Sequence, residues 1–320
     1  MVREARVAPR LNPRALAVRS MLRLAYGGFP PEDGAFRRSV SWGDEGSSVV
    51  RRVLEEGRPC LVTRFGSIEL ACASFYTRWR PRKGLRLPYL LQARRAVRAN
   101  AGVFPIDDAS LDRFSERYLD AISHSDVMGV CFNRNEHRTV ERYCPAARLV
   151  QIEALNAVVR DDPWTAALEG KKVLVVHPFA RTIESQYRTR RTKLFDDPRI
   201  LPEFEIRTLA AVQSLAGNDG GFRTWFDALD SMTERMAAID FEVAIIGAGA
   251  YGLPLGAAVK EMGRQAVHMG GATQLLFGIR GRRWDVEYDD MSHLFNEWWV
   301  RPSLEETPAG SRLVEGGCYW

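Results

Sequence analysis

The chain has no CxxC pair, and its five cysteines, Cys60, Cys72, Cys131, Cys144 and Cys318, stand without the spacing of a zinc site. An odd, scattered set suits free thiols in a reducing compartment rather than a disulfide framework. Glu136 and His137 are neighbours, but no HExxH surrounds them, so no zinc hydrolase is indicated. A Walker lysine loop, a GxSxG elbow and a Cys/His nucleophile pattern are also missing, which argues against P-loop nucleotide hydrolysis and serine hydrolase chemistry. There is no internal repeat and no low-complexity segment. Nor is there an apolar stretch of membrane-spanning quality: the longest run, VAIIGAGAYGLPLGAAV, is broken by glycines and by Pro254 and reads as strand, turn and helix start.

What is present is an ordinary globular composition with a net charge of +5, which favours anionic partners such as phosphates and nucleotides. The basic residues are not interleaved with aromatics as in nucleic-acid-binding motifs, so no nucleic acid is expected. Much of the excess lies in MVREARVAPRLNPRALAVRSMLRLAYGG, which has no uninterrupted h-region of a signal peptide. Two readings of this arm stand: an amphipathic basic segment in peripheral contact with a membrane, or a loosely ordered tail. The protein is expected to be cytoplasmic, and membrane-associated only on the first of these readings.

From Ser48 the chain alternates. SVVRRVLEEGR, LDRFSERYLDAISH and FRTWFDALDSMTERMAAI have helical periodicity. Short β-branched runs stand at Cys60–Thr63, Asp126–Phe132, Arg148–Ile152, Lys172–Val176, Glu205–Leu209, Val243–Ile246 and Gln265–Met269. This predicts an α/β, Rossmann-like fold, a mostly parallel sheet with helices on both faces. Residues 1–45 read as a basic N-terminal arm and linker, 46–284 as the α/β domain, and 285–320 as an aromatic C-terminal extension packed on that domain.

Several strands end in polar or glycine-rich text: TRFGS, CFNRNE, HPFARTIESQ, IGAGAYG and HMGGATQ. In a parallel sheet those carboxyl ends share one edge, and ligands bind in the crevice outside it. In TRFGSIEL, Gly66 permits close backbone approach, Ser67 can cap the following helix, Arg64 can grip a phosphate, and Glu69 stands in the first helical turn. There Glu69 suits either a divalent metal or the helix dipole. In VLVVHPFARTIESQY, His177 ends an apolar strand, Thr182 can cap a helix, and Arg181 and Gln186 follow. Gly247, Gly249 and Gly252 match GxGxxG after a strand, with Tyr251 inside the turn. The acid expected after the next strand is replaced by AVHMGG, which weakens a dinucleotide reading, while a glycine turn still cradles any diphosphate. His268, Gly270, Gly271 and Gln274 suit a loop that approaches a ligand, and Arg280, Arg282 and Arg283 form a basic cluster beside it.

The RFGSIE element, Arg64-Phe65-Gly66-Ser67-Ile68-Glu69, resembles the R-F-G-D-G-E element of bacterial glycosyltransferases with the GT-D fold. The stretch GAGAYGLPLGAAVKEMGRQAVHMGG resembles the closing segment of that family, so the resemblance spans roughly residues 60 to 280. It implies transfer of a sugar from a nucleotide-diphosphate donor to a glycan or lipid-linked acceptor, in surface polysaccharide or glycoconjugate assembly. The family's Asp-x-Glu implies a divalent metal, Mn or Mg; here Ser67 stands in the Asp position and Glu69 alone carries over. Donor binding then falls to Arg64, Phe65, Gly66, Ser67, Arg181, Gln186, Gly247, Gly249, Tyr251, Gly252, His268, Gly270, Gly271 and Gln274. Glu153 or His177 is the candidate base for the acceptor hydroxyl. Two alternatives remain at this stage: an NAD- or FAD-dependent oxidoreductase built on GAGAYG, and a non-catalytic relative that binds nucleotide sugars.

Overall fold

The computed structural model describes residue 36 and residues 38–80, 87–286, 289–314 and 316–320. Most of the basic arm, residues 1–35, therefore lies outside the described residues. Eight strands form one parallel sheet: β1 (Val40–Ser41), β2 (Cys60–Arg64), β3 (Val127–Val130), β4 (Arg148–Gln151), β5 (Lys172–His177), β6 (Glu205–Ala210), β7 (Val243–Ile246) and β8 (Gln265–His268), in the order β1-β4-β3-β2-β8-β7-β5-β6. The α/β, Rossmann-like expectation is what the chain forms, with one short edge strand, β1, added. The helices are α1 (Gly43–Glu55), α2 (Ser67–Trp79), α3 (Leu91–Ala96), α4 (Asp108–Ser123), α5 (Glu136–Tyr143), α6 (Ala180–Leu194), α7 (Trp225–Ala237), α8 (Gly252–Glu261), α9 (Thr273–Leu276) and α10 (Arg282–Val286).

The strands are apolar on both faces because both are covered. Leu61, Leu174, Val176, Ala244, Ile246 and Ala266 pack against α2, α4, α5, α7 and α8. Their alternates Cys60, Val62, Val173, Val175, Val243, Ile245 and Val267 pack against α1, α6, α9 and Trp284 and Trp299 from the late part of the chain. Side chains point alternately across a strand, so the same runs that read as continuous apolar text feed two cores. None of the five cysteines is in a disulfide, and four of them are buried. Among the described residues no helix is long and apolar enough to cross a membrane.

Topology creates the crevice. From β2 the chain works outward through β3 to β4; it then crosses to β5 and β6 and returns through β7 to β8, which pairs with β2. The helix after β2 goes to one face and the helix after β8 to the other. Connections that diverge from adjacent strands mark where parallel sheets of this kind bind ligands, and here that point is the carboxyl edge at Arg64 and His268.

The late segment is bound to the carboxyl edge. Glu306 accepts from the backbone N–H of Arg181 (2.8 Å) and of Thr182 (3.3 Å), and the Thr182 hydroxyl donates to it as well. A carboxylate supplied from the C-terminal segment therefore caps α6; Thr182, which the sequence suggested as the cap, lies inside the helix. Arg282 N–H donates to Trp320 O and Arg283 N–H to Cys318 O, and the Arg283 guanidinium lies 4.9 Å from the Tyr319 ring centroid. Arg280 is paired with Asp285. The three arginines of the basic cluster are thus engaged with the late part of the chain.

Candidate functional site

Arg64 is the last residue of β2, opposite Gly129 of β3. Small neighbours shape its place: a Cβ on Gly129 would lie 3.5 Å from Arg64 Cβ, and one on Gly270 would lie 3.6 Å from both Cζ and Nε of Arg64. Nε is buried and has no hydrogen-bond partner. Burial pulls the guanidinium toward losing its proton. Cys131, Glu69, Tyr319 and Tyr118 pull the other way, and the net shift is upward, so Arg64 is a permanent cation.

The chain then turns at Gly66, whose N–H donates to Tyr118 Oη (3.0 Å), and enters α2. The N-cap is Gly66 itself, with no side-chain cap, and Ser67 stands at the first helical position. Ser67 Oγ donates instead to Asn133 Oδ1 at 3.3 Å. The Glu69 carboxylate folds back over the turn, for a Cβ on Gly66 would lie 1.9 Å from Glu69 Oε2. The carboxylate thus occupies the space that a side chain at Gly66 would take. The position of Glu69 matches the helix-dipole reading. Among the described residues no three His, Cys, Asp or Glu side chains group as metal ligands. With a serine bonded to an amide in the place of the Asp, the donor set does not fit the Asp-x-Glu metal site that the resemblance implies.

The glycine turn after β7 is built around two histidines. A Cβ on Gly247 would stand 2.5 Å from His177 Cδ2 and 2.7 Å from Thr273 Oγ1; one on Gly252 would stand 2.3 Å from His268 Nε2. Gly249 differs: its φ is +54°, nothing lies near its missing side chain, and it is exposed. Of the three fingerprint glycines, one faces open space and two make room for imidazoles. The rings are each 3% exposed, and burial pushes both down to about 3, so both are neutral. His177 Nδ1 accepts from Phe179 N–H (3.0 Å), which leaves the ring proton on Nε2. That tautomer makes His177 a donor rather than a base. His268 Nδ1 meets Thr63 Oγ1 at 3.0 Å, while its Nε2 is buried without a partner. Thr273 Oγ1 and Gln274 Oε1 are likewise buried and unpartnered. Orphaned buried polar atoms are uncommon, and these three and Arg64 Nε stand at the ends of β2 and β8 and in α9.

The structure thus places Arg64, Gly66, Ser67 and Glu69 at the end of β2, His268 and Gly270 beside them at the end of the adjacent β8, and Gly247, Gly249, Gly252 and His177 at the ends of β7 and β5. Gly271 lies under Tyr319, whose ring would be 2.4 Å from its Cβ. Other sequence candidates have structural positions. Phe65 is in the core. Tyr251 stacks on Trp225 at 4.9 Å and bonds Ser214 through its hydroxyl. The Gln186 amide donates to Gly278 O and Trp298 O. That of Gln274 donates to Ile279 O and Tyr319 O. Arg181 is exposed beside Glu305. Glu153 lies in a turn after β4, its N–H donating to Gln151 Oε1. Leu155 of that turn and Arg64 flank the same Gly129, which sets the turn beside the crevice.

Sequence reasoning passed over Glu136. It is fully buried, with Oε1 accepting from Cys131 N–H (2.9 Å) and Oε2 from Asn133 N–H (2.5 Å). Burial pushes its carboxyl up to about 7, against the pull of those N–H groups and of Arg64. The signal was present: CFNRNE follows a strand, and an acid there can fold back on the turn. Tyr118 and Tyr319 were also missed, because each comes from chain distant from the motifs, and Thr63 because its partner, His268, is 205 residues away.

No family model matches the chain, and no curated protein matches it. Two solved structures are similar to it. One is a selenomethionine-substituted domain of unknown function 1792, 11% identical, with a TM-score of 0.44, over 83% of this chain and 92% of that one. The other is a domain of unknown function 1792 described as having a distinct glycosyltransferase fold, 13% identical, with a TM-score of 0.42, over 90% of this chain and 96% of that one.

Proposed function

We propose that this protein is a glycosyltransferase that takes a sugar from a nucleotide-diphosphate donor. One observation carries the reading: Arg64, a permanent cation with a buried, unpartnered Nε, ends the central strand at the crevice, next to an α2 N-terminus without a side-chain cap. A cation beside a helix N-terminus suits a diphosphate. The RFGSIE resemblance, carried by Arg64 and Glu69, points the same way.

In the reaction, an acceptor hydroxyl oxygen attacks the anomeric carbon. The bond from that carbon to the phosphate oxygen breaks, and its electron pair leaves with the nucleoside diphosphate. Arg64 and the first-turn N–H groups of α2 offset the charge that develops on the leaving group. The hydroxyl proton goes to a carboxylate, for which Glu153 is the candidate. His177, holding its proton on Nε2, serves as a donor at the end of β5. The acceptor class is a glycan or lipid-linked glycan, as in surface polysaccharide or glycoconjugate assembly. Because the donor set at Ser67 and Glu69 does not fit a metal, the charge on the diphosphate is assigned to Arg64.

Isothermal titration with UDP-, GDP- and dTDP-sugars, in manganese and in EDTA, tests this. Binding of one donor class in EDTA, lost in Arg64→Ala, is the expected result. Failure of all of them to bind under either condition overturns the proposal.

A further inference from the structure

Outside the phosphate-facing crevice, the carboxyl edge carries a second built feature. Trp42 follows β1 and is 57% exposed. Its ring stacks on Phe132, at the end of β3, with centroids 5.4 Å apart and planes 15° from parallel. Phe36 meets Phe132 edge-on at 5.8 Å and so supports it from the side. One face of the indole is thus occupied, and among the described residues no ring stacks on the other.

The turn that holds Phe132 is strained. Phe132 has φ +58°, in the left-handed region that few non-glycine residues adopt, and Asn135, at φ +65°, is of a type that tolerates it. Glu136 holds the turn in that shape from below, through Cys131 and Asn133 N–H. One strained backbone position and a buried acid fix the shape of this six-residue turn. It presents the Phe132 ring to Trp42, and Asn133 to Ser67 at the α2 N-terminus. Asn133 Nδ2 is buried and has no partner.

We infer that the unstacked face of Trp42, with the Phe132–Asn133 turn, is a sugar-ring subsite that stacks the C–H face of a pyranose of the glycan acceptor. An indole face is electron-rich and attracts the weakly positive C–H groups of such a ring. A nucleobase suits the step less well. Small-molecule rings of that kind are held in clefts that bury most of their surface, whereas this platform is open and leaves the outer hydroxyls of a glycan in water. The location agrees with an acceptor. Ala154, next to Glu153, packs against α1 beside Trp42: its Cβ is 2.6 Å from where a Gly46 Cβ would stand, and Gly46 N–H donates to Trp42 O. The word acceptor rests on the proposed transferase function; the stacking subsite does not.

The test uses the full chain, with Trp42→Ala and Trp42→Phe, on a printed panel of neutral and acidic oligosaccharides, and in titrations with UDP-, GDP- and dTDP-sugars. Trp42 is exposed, and Trp42→Phe keeps an aromatic face if the smaller variant folds poorly. The wild type should retain at least one glycan, Trp42→Ala should weaken it roughly five- to tenfold, and Trp42→Phe should restore most of the binding. Nucleotide-sugar affinity should stay unchanged in both variants. A wild type that retains no glycan, or a Trp42→Ala variant that binds glycan as well as the wild type, overturns the subsite while leaving the donor site standing. Loss of nucleotide-sugar binding in Trp42→Ala also overturns it and assigns the platform to the base. Absence of nucleotide-sugar binding by the wild type, with Trp42-dependent glycan binding intact, instead overturns the transferase function.

Discussion

A Cβ on Gly252 would lie 2.3 Å from Nε2 of His268, so the last glycine of the Gly247-x-Gly249-x-x-Gly252 turn is small in order to admit an imidazole. Gly252 has helical φ and ψ, which alanine adopts freely. The Gly252→Ala change therefore acts through overpacking alone, and should lower stability by roughly 1–3 kcal/mol. Gly249→Ala has open space but a φ of +54°, and should lower stability through backbone strain of about 1–2 kcal/mol. Urea unfolding measures both, and the His268 ring resonances should move only in Gly252→Ala. Resonances that stay in place there would show that the two groups are not in contact.

Arg64 makes no internal bond through its buried Nε, so its removal should affect the ligand more than the fold. Arg64→Met is expected to keep the Tm of the parent or raise it, and to reduce sugar transfer on the order of 100-fold. Thermal unfolding and a nucleotide-release assay on the same preparation separate the two effects. A large drop in Tm would make Arg64 a structural cation.

Acid should destabilise the protein in two stages. His177 and His268 titrate at 6.5 in an unfolded chain and at about 3 in the native one, because burial penalises the charged rings. Above pH 6.5 both states hold neutral rings, and the full contribution is present. As pH falls from 6.5 toward 3 the unfolded chain binds protons that the native chain refuses, and stability falls by roughly 1.4 kcal/mol per pH unit for each ring. Glu136 works in the opposite sense: the native carboxyl keeps its proton to about 7 and the unfolded one releases it at 4.5, so its contribution falls as pH rises between those values. Stability should therefore decline gently from pH 6.5 to 4.5 and steeply below 4.5. Chemical unfolding across that range checks the break, and His177→Gln with His268→Gln should flatten the acid limb.

Glu306 closes the N-terminus of α6 from more than a hundred residues away. Glu306→Ala should cost about 1–2 kcal/mol, the range of a lost cap. The loss should appear as a lower Tm and as faster amide exchange at Arg181 and Thr182. Unchanged exchange at those amides would mean that the late segment does not hold the helix.

The strands were legible because each apolar run is long enough to feed two covered faces, and no other element suits β-branched text of that length. Seven of the eight strands are visible in this way; Val40–Ser41 is too short to leave a pattern. The carboxyl edge was legible as well, since polar or glycine-rich text follows the strands, and Arg64 stands where TRFGS suggests. Capping was less so. Ser67 and Thr182 have the right chemistry for caps, yet Gly66 and Glu306 hold those places, because a backbone turn and a remote carboxylate compete for the same N–H groups.

By itself the sequence determined the alternation of strand and helix, the parallel sense of the sheet that follows from it, and the cation at the end of β2, since these depend on local periodicity and residue type. Only the tertiary structure decided which glycines face open space, which nitrogen of His177 carries its proton, and that Trp42 meets Phe132. Those depend on distances between segments that no spacing along the chain encodes: His268 and Thr63 are 205 residues apart and 3.0 Å from contact atom to contact atom.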